Sequence, residues 1–266
     1  MIRAFRFAAV FFSVVGMIIV LCYAEGIFVQ KQYSFFEGKG TAESPYIIRN
    51  SNELKMLRDL VNGGEDFEKV YFFQSSDIEL EGEEWIPIGI FGSGNYFAGI
   101  YDGGAHCIKN LHVAAGNPPS NGGLFGILNG TVKNLGIESG EIEGDFTGAI
   151  ASHGTPQALI LNCYNKASVQ GTGRAGGICD NLSGGAVINC VNDGQVSAPV
   201  SAQIVSYDAG LLLLVCPEEG ACTDYFTGIF PDWSVYGNSI QEQLNAGLDI
   251  LTEEGVVTEE EVVRWK

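Results

Sequence analysis

Eight acidic or basic side chains lie between positions 138 and 193: Glu138, Glu141, Glu143, Asp145, Lys166, Arg174, Asp180 and Asp193. Carboxylates, lysine and arginine gathered on one face could cleave a polysaccharide. Glycoside hydrolysis needs two carboxyl groups about 5 to 9.5 Å apart across a groove. Glu141 and Glu143 are alternate residues, so on a strand they share a face. Solvated edge charges of this kind ordinarily serve solubility, and no residue is assigned a catalytic role. His106, Cys107 and His112 could be imagined as metal ligands, but the chain has no CxxC pair and no metal-ligand spacing, so neither metal nor cofactor is expected. Trp85, Tyr96, Phe97, Tyr101, Tyr225, Phe226 and Trp233 could stack on sugar rings. Trp85 reads as core, whereas Tyr225, Phe226 and Trp233 sit in the least regular stretch and are expected to form a contact surface. Cys107, Cys163, Cys179 and Cys190 occupy apolar positions that suit buried free thiols, although Cys163 and Cys190 would stack close enough for a disulfide as well. Cys216 and Cys222, flanking a five-residue loop, are the disulfide candidate.

What must position these groups is a phrase that returns four times: Ile108-Lys109-Asn110-Leu111, Val132-Lys133-Asn134-Leu135, Ile160-Leu161-Asn162-Cys163 and Val187-Ile188-Asn189-Cys190. Its asparagines are 24, 28 and 27 residues apart. Self-similarity at roughly 20 to 50 residues marks a solenoid, propeller or array. This unit is too short, and too rich in glycine and β-branched residues, to hold a helix pair. The expectation is an all-β chain, a right-handed parallel β-helix (solenoid) with helical caps at both ends. In each phrase the apolar residues flank Asn at −2 and +1, which breaks strict alternation and requires a bend. Asn tolerates the left-handed conformation such a bend demands. Stacked coils would align Asn110, Asn134, Asn162 and Asn189 into an amide ladder, with Leu111, Leu135, Cys163 and Cys190 as one buried column and Ile108, Val132, Ile160 and Val187 as another. A second phrase, headed by Gly123, Gly148 and Gly177, suits a tight corner where a side chain would clash with the next layer.

The coils span 105–215. Residues 25–104 read as first sheet layers with a helix at about 51–62, opened by Asn50 or Ser51 with Glu53 and stopped by Gly63-Gly64. Segments 85–89 and 96–101 read as short strands, and Asp102-Gly103-Gly104 as a turn. Residues 216–266 read as an irregular segment followed by capping helices, one beginning at Ser239 and a final short one at Thr258, that close the far end of the core. Residues 1–24 read as a signal peptide or signal anchor, with Arg3 and Arg6 ahead of an uncharged apolar run from 7 to 24. Acids outnumber bases 32 to 14, giving a formal charge of −18. That balance disfavours nucleic acid and anionic membranes as partners, leaving membrane contact to the amino-terminal segment alone.

On these residues the chain resembles the GLUG-repeat family, whose Gly-Leu-any-Gly phrase is matched by Gly123-Leu124-Phe125-Gly126. Gly40 to Tyr46, Ser76 to Leu80, Trp85 to Gly89, Tyr101 to His106, Asn162 to Asn165 and Gly173 to Ile178 follow in the family's order. The resemblance covers roughly 38–250. It implies an exported, adhesin-like surface protein, related to repeats that precede the peptidase domain of bacterial immunoglobulin A proteases. That peptidase domain is absent, and no His-Glu-x-x-His occurs. The leading expectation is a secreted or anchored, non-enzymatic β-helical protein contacting an extracellular protein or glycan. The alternative is a carbohydrate-active lyase or hydrolase on the same scaffold. A third possibility is a stand-alone accessory module that needs a partner chain.

Overall fold

The computed structural model describes residues 33–116, 121–208, 210–215, 239–258 and 262–266, together with two short paired strands, Phe11–Ser13 and Gly16–Ile18. The rest of segment 1–24, the pair Cys216 and Cys222, and Tyr225, Phe226 and Trp233 lie outside the described residues. From 33 onward the chain winds as a β-solenoid of about six turns, with three walls of parallel strands around one core.

The first wall stacks Tyr46–Ile48, Tyr71–Gln74, Ile100–Lys109, Thr131–Ile137, Leu159–Leu161 with Tyr164–Asn165, Ala186–Asn192 and Leu211–Val215. The second wall runs from Leu111–Val113 and Asn121–Gly122 through Gly140–Gly148 and Ser168–Gly176 to Val196–Ser197 and Val200–Ala202. The third holds Phe125–Leu128, Ala151–Gly154, Cys179–Leu182 and Val205–Asp208. At the corner between the second and third walls a Cβ on Gly123, Gly148 or Gly177 would come within 2.6 Å of neighbouring backbone, so only glycine fits there.

Inside, like residues superpose rung on rung. Tyr101, Val132, Ile160 and Val187 form one fully buried column, and Leu135, Cys163 and Cys190 another. The amino-terminal end is closed by aromatics, with Phe72 meeting Phe36 and Phe67 edge to face and Tyr46 and Phe97 at a tilt. Helix α1 (Ser51–Asn62) lays Leu54, Leu57 and Val61 on that cluster. Asn50 caps it by accepting from the Glu53 N–H at 3.0 Å. The Glu53 carboxylate bonds the N–H of Arg49 rather than that of the cap itself.

Several expected elements differ. Residues 85–89 and 96–99 meet the sheets only at single bridges, Ile88 to Phe125 and Phe97 to Leu128, whereas Ile100 and Tyr101 begin the long strand of the first wall. Pro87 has no N–H to pair, and Gly89, Gly92 and Gly94 turn the chain through positive φ. Asp102-Gly103-Gly104 is not a turn between strands. Ile100–Lys109 runs through it, with Gly103, Gly104 and Ala105 bulging opposite the single residue Asn134.

The second helix, α2 (Ile240–Glu253), has the expected Ser239–Glu242 capping box. It does not close the far end of the core. It lies along the outer flank of the first wall, where Leu251 and Val257 cover the outward-facing Leu161 and Ile188, and Ile240 and Leu244 join Tyr164 and Val191. The strand alternation of the first wall puts apolar side chains on its outer face too, and that surface needs a cover. Residues 262–266 are not helical but follow the same flank.

Candidate functional site

All four repeat asparagines adopt the left-handed conformation, with φ between 49° and 55°. Three share a column. The Asn189 amide donates to Asn162 Oδ1 at 3.0 Å, Asn162 to Asn134 Oδ1 at 2.8 Å, and Asn134 to Asp102 Oδ1 at 2.8 Å. The direction of this chain follows from its end: an ionised carboxylate can only accept, so every amide must point its NH2 toward Asp102. At the opposite end Asn189 Oδ1 is buried with no hydrogen-bond partner among the described residues. Asn110 does not belong to the ladder. Ile108 pairs with Ile137, not Val132, so Asn110 falls at the next corner, exposed, where it bonds Glu79 and Ser139. For the same reason Leu111 and Ile108 leave the columns expected for them, and Tyr101 fills the place of Ile108.

Each ladder amide also reaches outward. Asn189 donates to Leu244 O and Asn162 to Val263 O, both at 3.0 Å, while Asn134 Oδ1 accepts from Val263 N. Trp265 donates its indole N–H to Asn162 Oδ1 and meets the Tyr164 ring edge-on at 4.9 Å. The column therefore both bends the strands and fastens the segment that covers them.

The ionisable candidates do not converge. Glu138 takes the Tyr164 hydroxyl at 2.6 Å and Lys166 at 2.9 Å, Asp145 bonds Thr172, and Asp193 is exposed on a turn. Glu141 joins Glu79, Glu81, Asn110 and His112 around an open cleft of about 630 Å³. A general acid there would need a raised carboxyl pKa. Glu79 moves the other way, lowered by the Glu81 N–H and the Asn110 amide. His106 lies 3.4 Å from Asp77, and burial pushes the neighbouring Cys107 thiol up to about 12, with Asp77 adding to it. Among the described residues no three His, Cys, Asp or Glu side chains gather as metal ligands would. The four described cysteines are buried and free. Burial and the adjacent Cys190 raise the Cys163 thiol.

Beside Glu138 and Lys166, Arg174 and Asp180 are a second pair of candidates that the fold brings together. At the corner between the second and third walls they form a two-point pair, Nε to Oδ1 and Nη2 to Oδ2, each at 3.1 Å. Asp180 is only 1% exposed and is also bonded by Ser206. The guanidinium is held between two rings, 4.7 Å from the Phe146 centroid and 5.2 Å from that of Tyr207. Those rings are solvent-facing, at 36% and 57% exposure. The described aromatics considered from sequence behave otherwise: Trp85, Phe97 and Tyr101 are core, and among these described residues only Tyr96 is exposed. Phe146 and Tyr207 were missed. The register that sets Gly148 beside Gly176 places Phe146 and Arg174 in one outward column.

No family model matches the chain. It is 30% identical over 193 residues, 68% of its length, to a protein of Evansella cellulosilytica described as a Gly-rich membrane protein. It is 28% identical over 156 residues, 56% of its length, to Halomucin of Haloquadratum walsbyi. The chain spans only 19% and 2% of these relatives. A crystal structure described as an immunoglobulin A1 protease from Bacteroides ovatus superposes with a TM-score of 0.40 at 18% identity, covering 76% of this chain and 88% of that one. Among the described residues no helix is long and apolar enough to cross a membrane.

Proposed function

We propose that this chain is an exported, non-enzymatic β-solenoid of the GLUG type that works at the cell surface, binding an extracellular protein or glycan through its outer walls. The observation that carries the reading is the corner at Arg174, where two aromatic rings stay exposed around a guanidinium fixed by a buried carboxylate. Arginine and tyrosine on a rigid frame are the residue types that dominate binding surfaces. The names of the two relatives, a membrane protein and a mucin, agree with a place outside the cytoplasm, as does the apolar run from 7 to 24. The enzymatic alternative finds less support, because Glu79 in the acidic cleft is shifted away from the raised pKa that a general acid uses.

The purified protein should be incubated with arrays of extracellular proteins and glycans and with intact bacterial cells, and the glycans then assayed for new reducing ends. Retention without cleavage is the expected result. Any cleavage product overturns the non-enzymatic reading, and failure to bind every surface overturns the binding role.

A further inference from the structure

Four of the exposed apolar side chains, Phe91, Phe146, Val200 and Tyr207, gather at one corner. Phe146, Arg174 and Val200 stack in register on successive coils of the second wall, and Val200 is 51% exposed. Across the corner His153, Asn181 and Tyr207 stack on the third wall, and the half-exposed Phe91 ring lies 6.3 Å from His153. From His153 to Tyr207 is two rungs, about 10 Å at a rung spacing of about 4.8 Å. The result is a narrow aromatic stripe along the solenoid axis, crossed by one guanidinium.

Building on the surface-binding role, we infer that this stripe is a binding site for a neutral polysaccharide. The rings of Phe146 and Tyr207 would receive the apolar C–H faces of successive sugar rings. The Nε and one Nη2 hydrogen of Arg174 are committed to Asp180, and Nη1 has no partner among the described residues, so it can donate to hydroxyl groups. Charge selects a neutral ligand: the chain carries −18, and the one cation of the stripe is already compensated by a carboxylate beneath it. Shape selects a polymer. The stripe is an open wall rather than an enclosed pocket, so affinity must come from several weak contacts in line. A protein partner fits less well, because a standard interface covers about 800 Å² on each side and this stripe offers four exposed apolar side chains, Phe91, Phe146, Val200 and Tyr207.

The test is affinity electrophoresis of the full chain in native gels holding soluble mannan, xylan or β-glucan, with polygalacturonate as the acidic control. Retardation by at least one neutral polymer and none by polygalacturonate is expected. Phe146→Ala and Tyr207→Ala should each weaken it at least tenfold, about 1.4 kcal/mol. Arg174→Lys, which keeps the charge but loses the planar fork, should weaken it as well. Glu141→Gln, in the acidic cleft, should not. Unchanged unfolding midpoints show that the variants are folded. Retardation that survives both ring substitutions, or that appears only with polygalacturonate, overturns the inference. If no neutral polymer retards the protein while it still binds extracellular proteins or cells, this site assignment fails and the surface role stands. If it binds nothing, both fail.

Discussion

Replacing Asn162 by leucine tests the ladder at its centre. The side chain is fully buried and makes four bonds: to Asn134 Oδ1 and Val263 O as donor, and from Asn189 Nδ2 and the Trp265 indole as acceptor. Leucine makes none. Asn134 Oδ1 keeps Val263 N and Asn189 keeps Leu244 O, so those two losses cost about 1 kcal/mol each; the Trp265 N–H loses its one bond, at about 1–3 kcal/mol. Holding leucine at φ 55° adds about 1–2 kcal/mol. The sum is about 4–7 kcal/mol, comparable with the whole stability of many domains. Urea unfolding should show the midpoint collapse, whereas Asn162→Gly, which tolerates the bend, should recover about 1 kcal/mol of the loss. Asn110→Leu carries the same backbone strain at an exposed site and should cost markedly less. The reasoning fails if Asn162→Leu stays within 1 kcal/mol of the parent, or if Asn110→Leu costs as much.

Trp265→Ala should destabilise by about 3 kcal/mol through lost packing on Tyr164. It should also open Cys107, now buried in the same cluster, to alkylation under native conditions. Cys163 and Cys190 should resist the same reagent until the protein is denatured, as both a thiol count and mass spectrometry would show. Asp77 gives a pH signature: burial opposes its ionisation, but the Lys109 ammonium and the Cys107 N–H hold the carboxyl at about 2. Its folded pKa lies below the unfolded value, so its contribution is present above pH about 4 and is lost as pH falls toward 2. Asp77→Asn should flatten that part of the melting-temperature profile between pH 2 and 5; an unchanged profile would remove the pair from the acid response. Glu141→Gln should leave the unfolding midpoint where it is.

The β-solenoid was legible because its interior is written in a repeat: hydrophobic columns, a left-handed asparagine and a corner glycine recur at nearly one period. The register of the first coil was not. Lys109-Asn110-Leu111 mimics the phrase, yet Gly103, Gly104 and Ala105 stand where later coils carry one asparagine, and only coordinates reveal a three-for-one bulge. The position of α2 was hidden as well. An amphipathic helix declares an apolar face but not the surface it will cover, and the outward Leu161 and Ile188 looked like ordinary strand residues. Phe146 and Tyr207 escaped because the sequence reading ranked aromatics by local irregularity rather than by outward register.

Interior register and exterior chemistry are one property of this chain. Because every rung repeats the same backbone path, a bend fixed at Asn134, Asn162 and Asn189 also fixes which residue of each coil reaches the far corner. Phe146 stands over Arg174 for the reason that Val132 stands over Ile160: both pairs are one coil apart in the same winding. The ladder has limits of its own. It is anchored on a carboxylate at Asp102 and ends at Asn189, whose Oδ1 has no partner among the described residues. Three amides therefore set the bend, and the covering segment takes up their outward bonds. The two wet corners differ in character, one lined by carboxylates and the other by exposed aromatic rings.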